Sequence, residues 1–183
     1  MPERYEYPPT EFDPKPRRAS DRRRLYFPLL LALSAFVAIA DHVSKKFISH
    51  HLPVGRSHTI LPGLLNVTHV LNTGAAFSFL ADTASPDVVR RGLILFSVVA
   101  VLIVGVMLIR SCNCLSFTCI ALALILGGAV GNLYDRIVYH YVIDFIGFHI
   151  GPYHWPDFNF ADSAIVIGAC LLMIEIFRPQ PEN

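Results

Sequence analysis

The chain has 183 residues, 54% of them hydrophobic and 16% charged, whereas a soluble domain averages roughly 45–50% and 25%. Residues 1–24 hold seven of the 15 basic and five of the 14 acidic side chains, which leaves the other 159 positions almost bare of charge. Such a body cannot cover itself in water. This excludes a soluble enzyme, a disordered chain and a nucleic-acid binder, and implies an integral membrane protein.

Residues 1–24, with five prolines and mixed charge, read as a flexible cytoplasmic tail. Residues 25–178 read as one four-helix transmembrane unit and 179–183 as a short cytoplasmic C-terminus. Apolar runs at 25–40, 92–109, 115–133 and 161–177 each approach the ~20 residues that a helix needs to cross hydrocarbon. The first is expected to continue past Asp41 towards Phe47. Arg22, Arg23 and Arg24 before an apolar run, with Ala38-Ile39-Ala40 after it, imitate a secretory signal. Three further spans follow, so the segment reads as a retained span. Basic residues favour the cytoplasmic side, which places the N-terminus inside and, with four spans, the C-terminus too. Arg90 and Arg91 oppose this orientation locally. It confines all eight histidines to the outer loops, with none in a span.

Between the first two spans, residues 64–71 alternate weakly, with Val67, Thr68 and Val70 between Pro62-Gly63 and Asn72-Thr73-Gly74. They read as a small strand on the periplasmic membrane surface, with residues 75–80 dipping apolar side chains. Asn72 and Gly74 bring an amide and a close-approaching backbone to that face. The fold class is therefore an all-α membrane protein of four transmembrane helices with one small periplasmic β-like segment. Cys112, Cys114, Cys119 and Cys170 read as reduced thiols, because no matching metal-binding pair exists.

Ionisable groups at membrane depth are costly and each is a site hypothesis. Asp41 and Lys45, four apart, fall on one helix face and read as a structural ion pair. Asp135 adjoins Arg136 near the end of the third span. Gly127 and Gly131 make a small-xxx-small pattern for close helix packing. Gly128, Asn132 and Arg136 form a stripe carrying an amide and a guanidinium. Asp144 stands in the apolar run Val142-Ile143-Asp144-Phe145-Ile146, which disfavours its charged form. Asp162 falls in the first turn of the fourth span, where the helix dipole favours charge. Two carboxylates in contrasting environments suggest acid–base work. On residue types alone, a capping role for Asp162 and a solvent-facing Asp144 remain open. So does a non-catalytic carrier or proton path, although no internal repeat supports one. The histidines show no metal-ligand spacing, so no metal is expected.

Five motifs in order resemble the lipoprotein signal peptidases, the signal peptidase II family. They are Asp41-x-x-x-Lys45, Asn72-Thr73-Gly74-Ala75-Ala76-Phe77-Ser78, Gly127-Gly128-Ala129-x-Gly131-Asn132-Leu133-x-Asp135-Arg136, Val142-x-Asp144-Phe145 and Phe158-Asn159-x-Ala161-Asp162. The resemblance implies an intramembrane aspartyl endopeptidase of the bacterial inner membrane. It would cleave prolipoproteins before their diacylglyceryl-modified cysteine, without a cofactor or metal. Its partners would be those prolipoproteins and membrane lipids, and it would act as a monomer. Asp144 and Asp162 match the family's catalytic dyad. Asn72, Gly74, Asn132, Arg136 and Asn159 match its substrate-binding or supporting positions. Asp41 and Lys45 match a structural pair. His140 departs from the pattern, standing where the family commonly has glycine, so the backbone of 134–143 is expected to differ.

Overall fold

The structure, a computed structural model, describes residues 19–74, 86–112 and 115–178. Helix α1 spans Ala19–His51, and strands β1 (Ser57–Leu61) and β2 (Leu65–Asn72) follow. Helices α2 (Pro86–Ser111) and α3 (Phe117–Val138) come next, then strands β3 (Val142–Ile150) and β4 (Tyr153–Phe158). Helix α4 (Phe160–Ile176) completes the order. Stretches within α1, α2 and α3 are long and apolar enough to cross a membrane. α4 is shorter, at 17 residues. Residues 1–18 of the expected tail and residues 75–80 lie outside the described residues. α1 opens at Ala19, within the C-terminal end of that tail.

The helices outrun the apolar runs that announce them. α1 continues to His51, so His42, His50 and His51 stand on a span-length helix, not in a loop. α3 continues past Leu133 to Val138, which carries Asp135 into its closing turns. Asp41 and Lys45 of α1 and Asp135 of α3, which hydropathy rejects, satisfy one another between the two helices.

Glycines set the packing of α3. A Cβ at Gly127 would lie 2.5 Å from Ser34 O of α1, and one at Gly131 would lie 2.9 Å from Asp41 Oδ2. On the adjacent face, a Cβ at Gly128 would collide with Ala161 O of α4. α4 returns the contact, since a Cβ at Gly168 would lie 2.7 Å from Ala121 O. Close approach of this kind is how small residues hold membrane helices together. Leu30, Leu108, Cys112, Cys119 and Leu122 form the apolar core at the opposite end from the carboxylates.

The sheet corrects the fold class. It is a four-stranded antiparallel meander in the order β1-β2-β3-β4, so the protein is not all-α with one β-like segment. β2 matches the strand expected over 64–71. β1 and β4 are largely exposed on both faces and carry no alternation to read, while β3 is so apolar that its period is hidden. Gly63 (φ 73°) and Gly151 (φ 58°) turn the two outer hairpins. The sheet is tied to the residue just after α1 by His69, buried on β2, whose Nδ1 lies 2.6 Å from Leu52 O.

Two further departures are local. Cys112 and Cys119 form a disulfide, with Cα atoms 5.5 Å apart, rather than reduced thiols. Ser116 caps α3 by accepting the Cys119 N–H at 3.3 Å. At the other end of α3, both Tyr139 N–H and His140 N–H donate to Asp135 O, and His140 adopts φ 69°. That is the left-handed residue that ends a helix, the position glycine usually fills. The backbone keeps a glycine-type conformation here with a histidine in it.

Candidate active site

Asp144 sits on β3 and is 2% exposed. Asn72 pairs with Val142 across the β2–β3 ladder, so Asn72 and Asp144 are diagonal neighbours on one face, within reach of each other. Asn72 Nδ2 donates to Asp144 Oδ2 at 2.9 Å. The Asn72 oxygen accepts Gly74 N–H at 2.8 Å, in a turn that Gly74 permits with φ 89°. On its other side, Asp144 Oδ1 accepts from Asn159 Nδ2 at 2.8 Å.

Asn159 is fully buried and caps α4. Its Oδ1 accepts Asp162 N–H at 2.9 Å, and its own N–H donates to Asp162 Oδ2 at 3.2 Å. This reciprocal capping box anchors Asp162 in the first turn. Asn132 of α3 donates from Nδ2 to Asp162 Oδ1 at 2.8 Å. Asn159 therefore touches both carboxylates, one through its side chain and one through its backbone.

Behind the carboxylates lies a buried ion cluster. Lys45 Nζ donates to Asp41 Oδ2 and Asp135 Oδ2, each at 2.6 Å, and to Asn132 Oδ1 at 3.0 Å. Asp41 Oδ1 accepts Ala161 N–H at 2.9 Å, which ties α1 to the start of α4. Asp135 thus pairs with Lys45, 90 residues away, and not with the adjacent Arg136. The half-buried Arg136 donates from Nη1 to Asn132 O at 3.2 Å and lies within electrostatic reach of Asp162 and Asp144.

Burial pushes the Asp144 carboxyl up to about 6. The Asn72 and Asn159 hydrogen bonds and the Lys45 charge oppose this, while the Asp162 charge adds to it. One carboxyl close to neutrality beside another anchored at a helix N-terminus is an arrangement suited to acid–base chemistry on a bound water. A larger cavity of about 650 Å³ lies between α1 and the sheet, lined by Val43, Phe47, Val67, Phe145 and Ile146 among others. Neither carboxylate lines it.

The family model described as signal peptidase (SPase) II matches residues 33–178, which include every residue of this cluster. The chain belongs to the signal peptidase II family. It is 43% identical over 148 residues to a lipoprotein signal peptidase of Paraburkholderia phymatum, covering 81% of this chain and 87% of that one. It is 44% identical over 154 residues to one of Photorhabdus laumondii, covering 84% and 90%. A bacterial membrane enzyme structure obtained by the in meso method at 1.9 Å resolution superposes with a TM-score of 0.74 at 29% identity, covering 84% of this chain and 95% of that one. As a signal peptidase II, the protein is a peptidase that removes signal peptides from prolipoproteins.

Proposed function

We propose that Asp144 and Asp162 are the catalytic dyad of this signal peptidase II, and that it cleaves before the diacylglyceryl-modified cysteine of its prolipoprotein substrates. The observation that carries this reading is the double engagement of Asn159, which donates to Asp144 and to Asp162. Asp162, ionised, takes a proton from a water between the carboxylates as the water oxygen attacks the scissile carbonyl. Asp144, protonated, donates to the carbonyl oxygen, giving a tetrahedral diol. As the C–N bond breaks, the leaving amine takes the proton from Asp162, and Asp144 recovers one from the collapsing hydroxyl. Protons balance, no covalent intermediate forms, and no cofactor or metal enters. Asn72, Gly74, Asn132 and Asn159 hold the carboxylates. Arg136 offers a planar fork to substrate carbonyl or ester oxygens.

All four helices span the inner membrane, with both termini cytoplasmic and the dyad near the outer, water-supplied face. Residues 1–24 form the cytoplasmic tail, 25–178 the peptidase unit and 179–183 the cytoplasmic C-terminus. The even helix count and the basic N-terminal segment support this orientation. α4 opens at the level of the site, beneath the sheet, which accounts for its shorter length. The polar cluster is complete within one chain, in keeping with a monomer working among membrane lipids. Incubating the purified protein with a diacylglyceryl-modified prolipoprotein tests the reading. Release of the signal peptide by the parent, and none by Asp144→Asn or Asp162→Asn, is the expected result.

A further inference from the structure

Lys45 is 3% exposed, and its ammonium has three N–H bonds. All three are engaged, by Asp41 Oδ2, Asp135 Oδ2 and Asn132 Oδ1. Lying between two carboxylates, it is a donor and never an acceptor. The Asn132 oxygen must therefore face Lys45, and its NH₂ must face the opposite way, where Asp162 Oδ1 accepts at 2.8 Å. Turning this amide would set NH₂ against the ammonium and C=O against the Asp162 carboxylate. Both contacts are repulsive, and both are strengthened by the low local dielectric.

The other two amides of the site are oriented differently. Asn72 is held by the backbone N–H of Gly74 and Asn159 by the backbone N–H of Asp162. Short of proline, no substitution removes those donors. Asn132 alone is oriented by side chains: its oxygen accepts from Lys45, 87 residues away, at 3.0 Å and more weakly from Asn159 Nδ2 at 3.3 Å.

We propose that Lys45 is a positioning residue for the peptidase reaction: by fixing the Asn132 amide, it aims the donor that orients Asp162. This goes beyond a structural ion pair with Asp41, and it rests on the reading of Asp144 and Asp162 as the dyad. Lys45 lines a cavity of about 170 Å³ together with His42, Lys46, Asp135, Tyr139 and Tyr141. The cavity gives a small amine a way to the site once Lys45 is truncated.

The experiment uses the full chain in detergent with a diacylglyceryl-modified prolipoprotein. It compares Lys45→Ala, Asp135→Asn, the double variant Lys45→Met/Asp135→Asn and Asp162→Asn. The double variant keeps the buried net charge of the parent, so it guards against misfolding of the single one. Lys45→Ala and the double variant are expected to lose kcat by about 10–100-fold, as when an orienting partner is removed from a working group. Their KM should stay within about threefold. Asp135→Asn, which keeps Lys45 and Asn132 together, should retain kcat within about threefold even if it melts earlier. Ethylammonium should restore kcat to Lys45→Ala saturably, while tetramethylammonium, which has no N–H, should not.

Parental kcat in either folded Lys45 variant overturns the proposal, as do equal effects of the two cations. So does a loss in Asp135→Asn as large as in the double variant, or failure of both Lys45 variants to fold, because Lys45 is then fold support alone. Cleavage by Asp162→Asn would instead remove the dyad reading itself. An inactive Asp162→Asn beside unimpaired Lys45 variants removes only the positioning role.

Discussion

Asn72 can present only its NH₂ to Asp144, because its oxygen is already taken by Gly74 N–H at 2.8 Å. The same logic governs Asn159, whose oxygen is taken by Asp162 N–H. Each of these amides is turned by the fold itself, which would leave the proposed dyad little reorganisation during the reaction.

The dyad is tested by conservative replacement. Asp144→Asn and Asp162→Asn should each abolish signal-peptide release while the protein still inserts and folds. The double variant should be no worse than either single one, because the carboxylates act as a unit. Single-turnover assays on purified, correctly eluting variants measure this. Substantial cleavage by one of them would exclude that residue from the chemistry.

The Asp144 carboxyl sets a pH dependence. Its folded value is raised from 3.8 to about 6, so the folded protein holds a proton that the unfolded chain has released. Its contribution to stability is full below 3.8 and is lost as pH rises through about 6, a change of about 3 kcal/mol. Melting temperatures from pH 4 to 8 should fall across that window in the parent and stay flatter in Asp144→Asn. As the acid of the reaction, Asp144 should also give kcat/KM a descending limb near pH 6. A parental melting curve as flat as that of Asp144→Asn would show that the carboxyl is not protonated as described.

Arg136 separates substrate holding from proton transfer. Arg136→Lys keeps the charge but loses the fork, so KM should rise while the reaction survives. Arg136→Ala should be worse, by about 2–5 kcal/mol if nearby carboxylates lose their counter-charge. Steady-state kinetics on both variants decide it. An unchanged KM in Arg136→Ala would take the guanidinium out of substrate binding.

Asp41→Asn should mainly lower stability, because it removes one carboxylate from buried Lys45 and weakens the acceptor for Ala161 N–H. A loss of about 3–5 kcal/mol is expected for breaking such a pair. Activity per folded molecule should stay near normal, since Asp135 and Asn132 still hold Lys45. A fully stable but inactive Asp41→Asn would bring a third acid into the mechanism.

Topology is open to reporter fusions. Insertions at Gly55 and Gly151 should report the outer side, and fusions at Asn113 and the C-terminus the cytoplasm. A cytoplasmic signal at Gly151 would put β3 and Asp144 on the wrong face.

The apolar runs made the four helices legible, and acids in apolar settings marked Asp144 and Asp162. The sheet was legible only at β2. β1 is exposed along its whole length and β4 carries Pro156, so neither shows the period-two pattern of a half-buried strand. The Lys45–Asp135 contact was not legible at all, because it joins residues 90 apart and each had a nearer partner in sequence. At His140 the departure from glycine was visible, but not its result. The histidine sits at φ 69°, a strain of roughly 1–2 kcal/mol for a residue with a Cβ.

The glycine contacts of α3 have a consequence for the membrane around the protein. α3 meets backbone of both α1 and α4 at Gly127 and Gly128, so these three helices cannot slide or tilt against one another without collision. α2 lacks this glycine interlock, because Gly92 and Gly105 face open space, and its tie to α3 is at one end, through Leu108 and the Cys112–Cys119 disulfide. When the bilayer is thicker or thinner than the hydrophobic length of the helices, the mismatch must be absorbed by tilt somewhere. Tilting of α2 about its disulfide-tied Cys112 end takes it up, and α1, α3 and α4 move through different membranes as one piece.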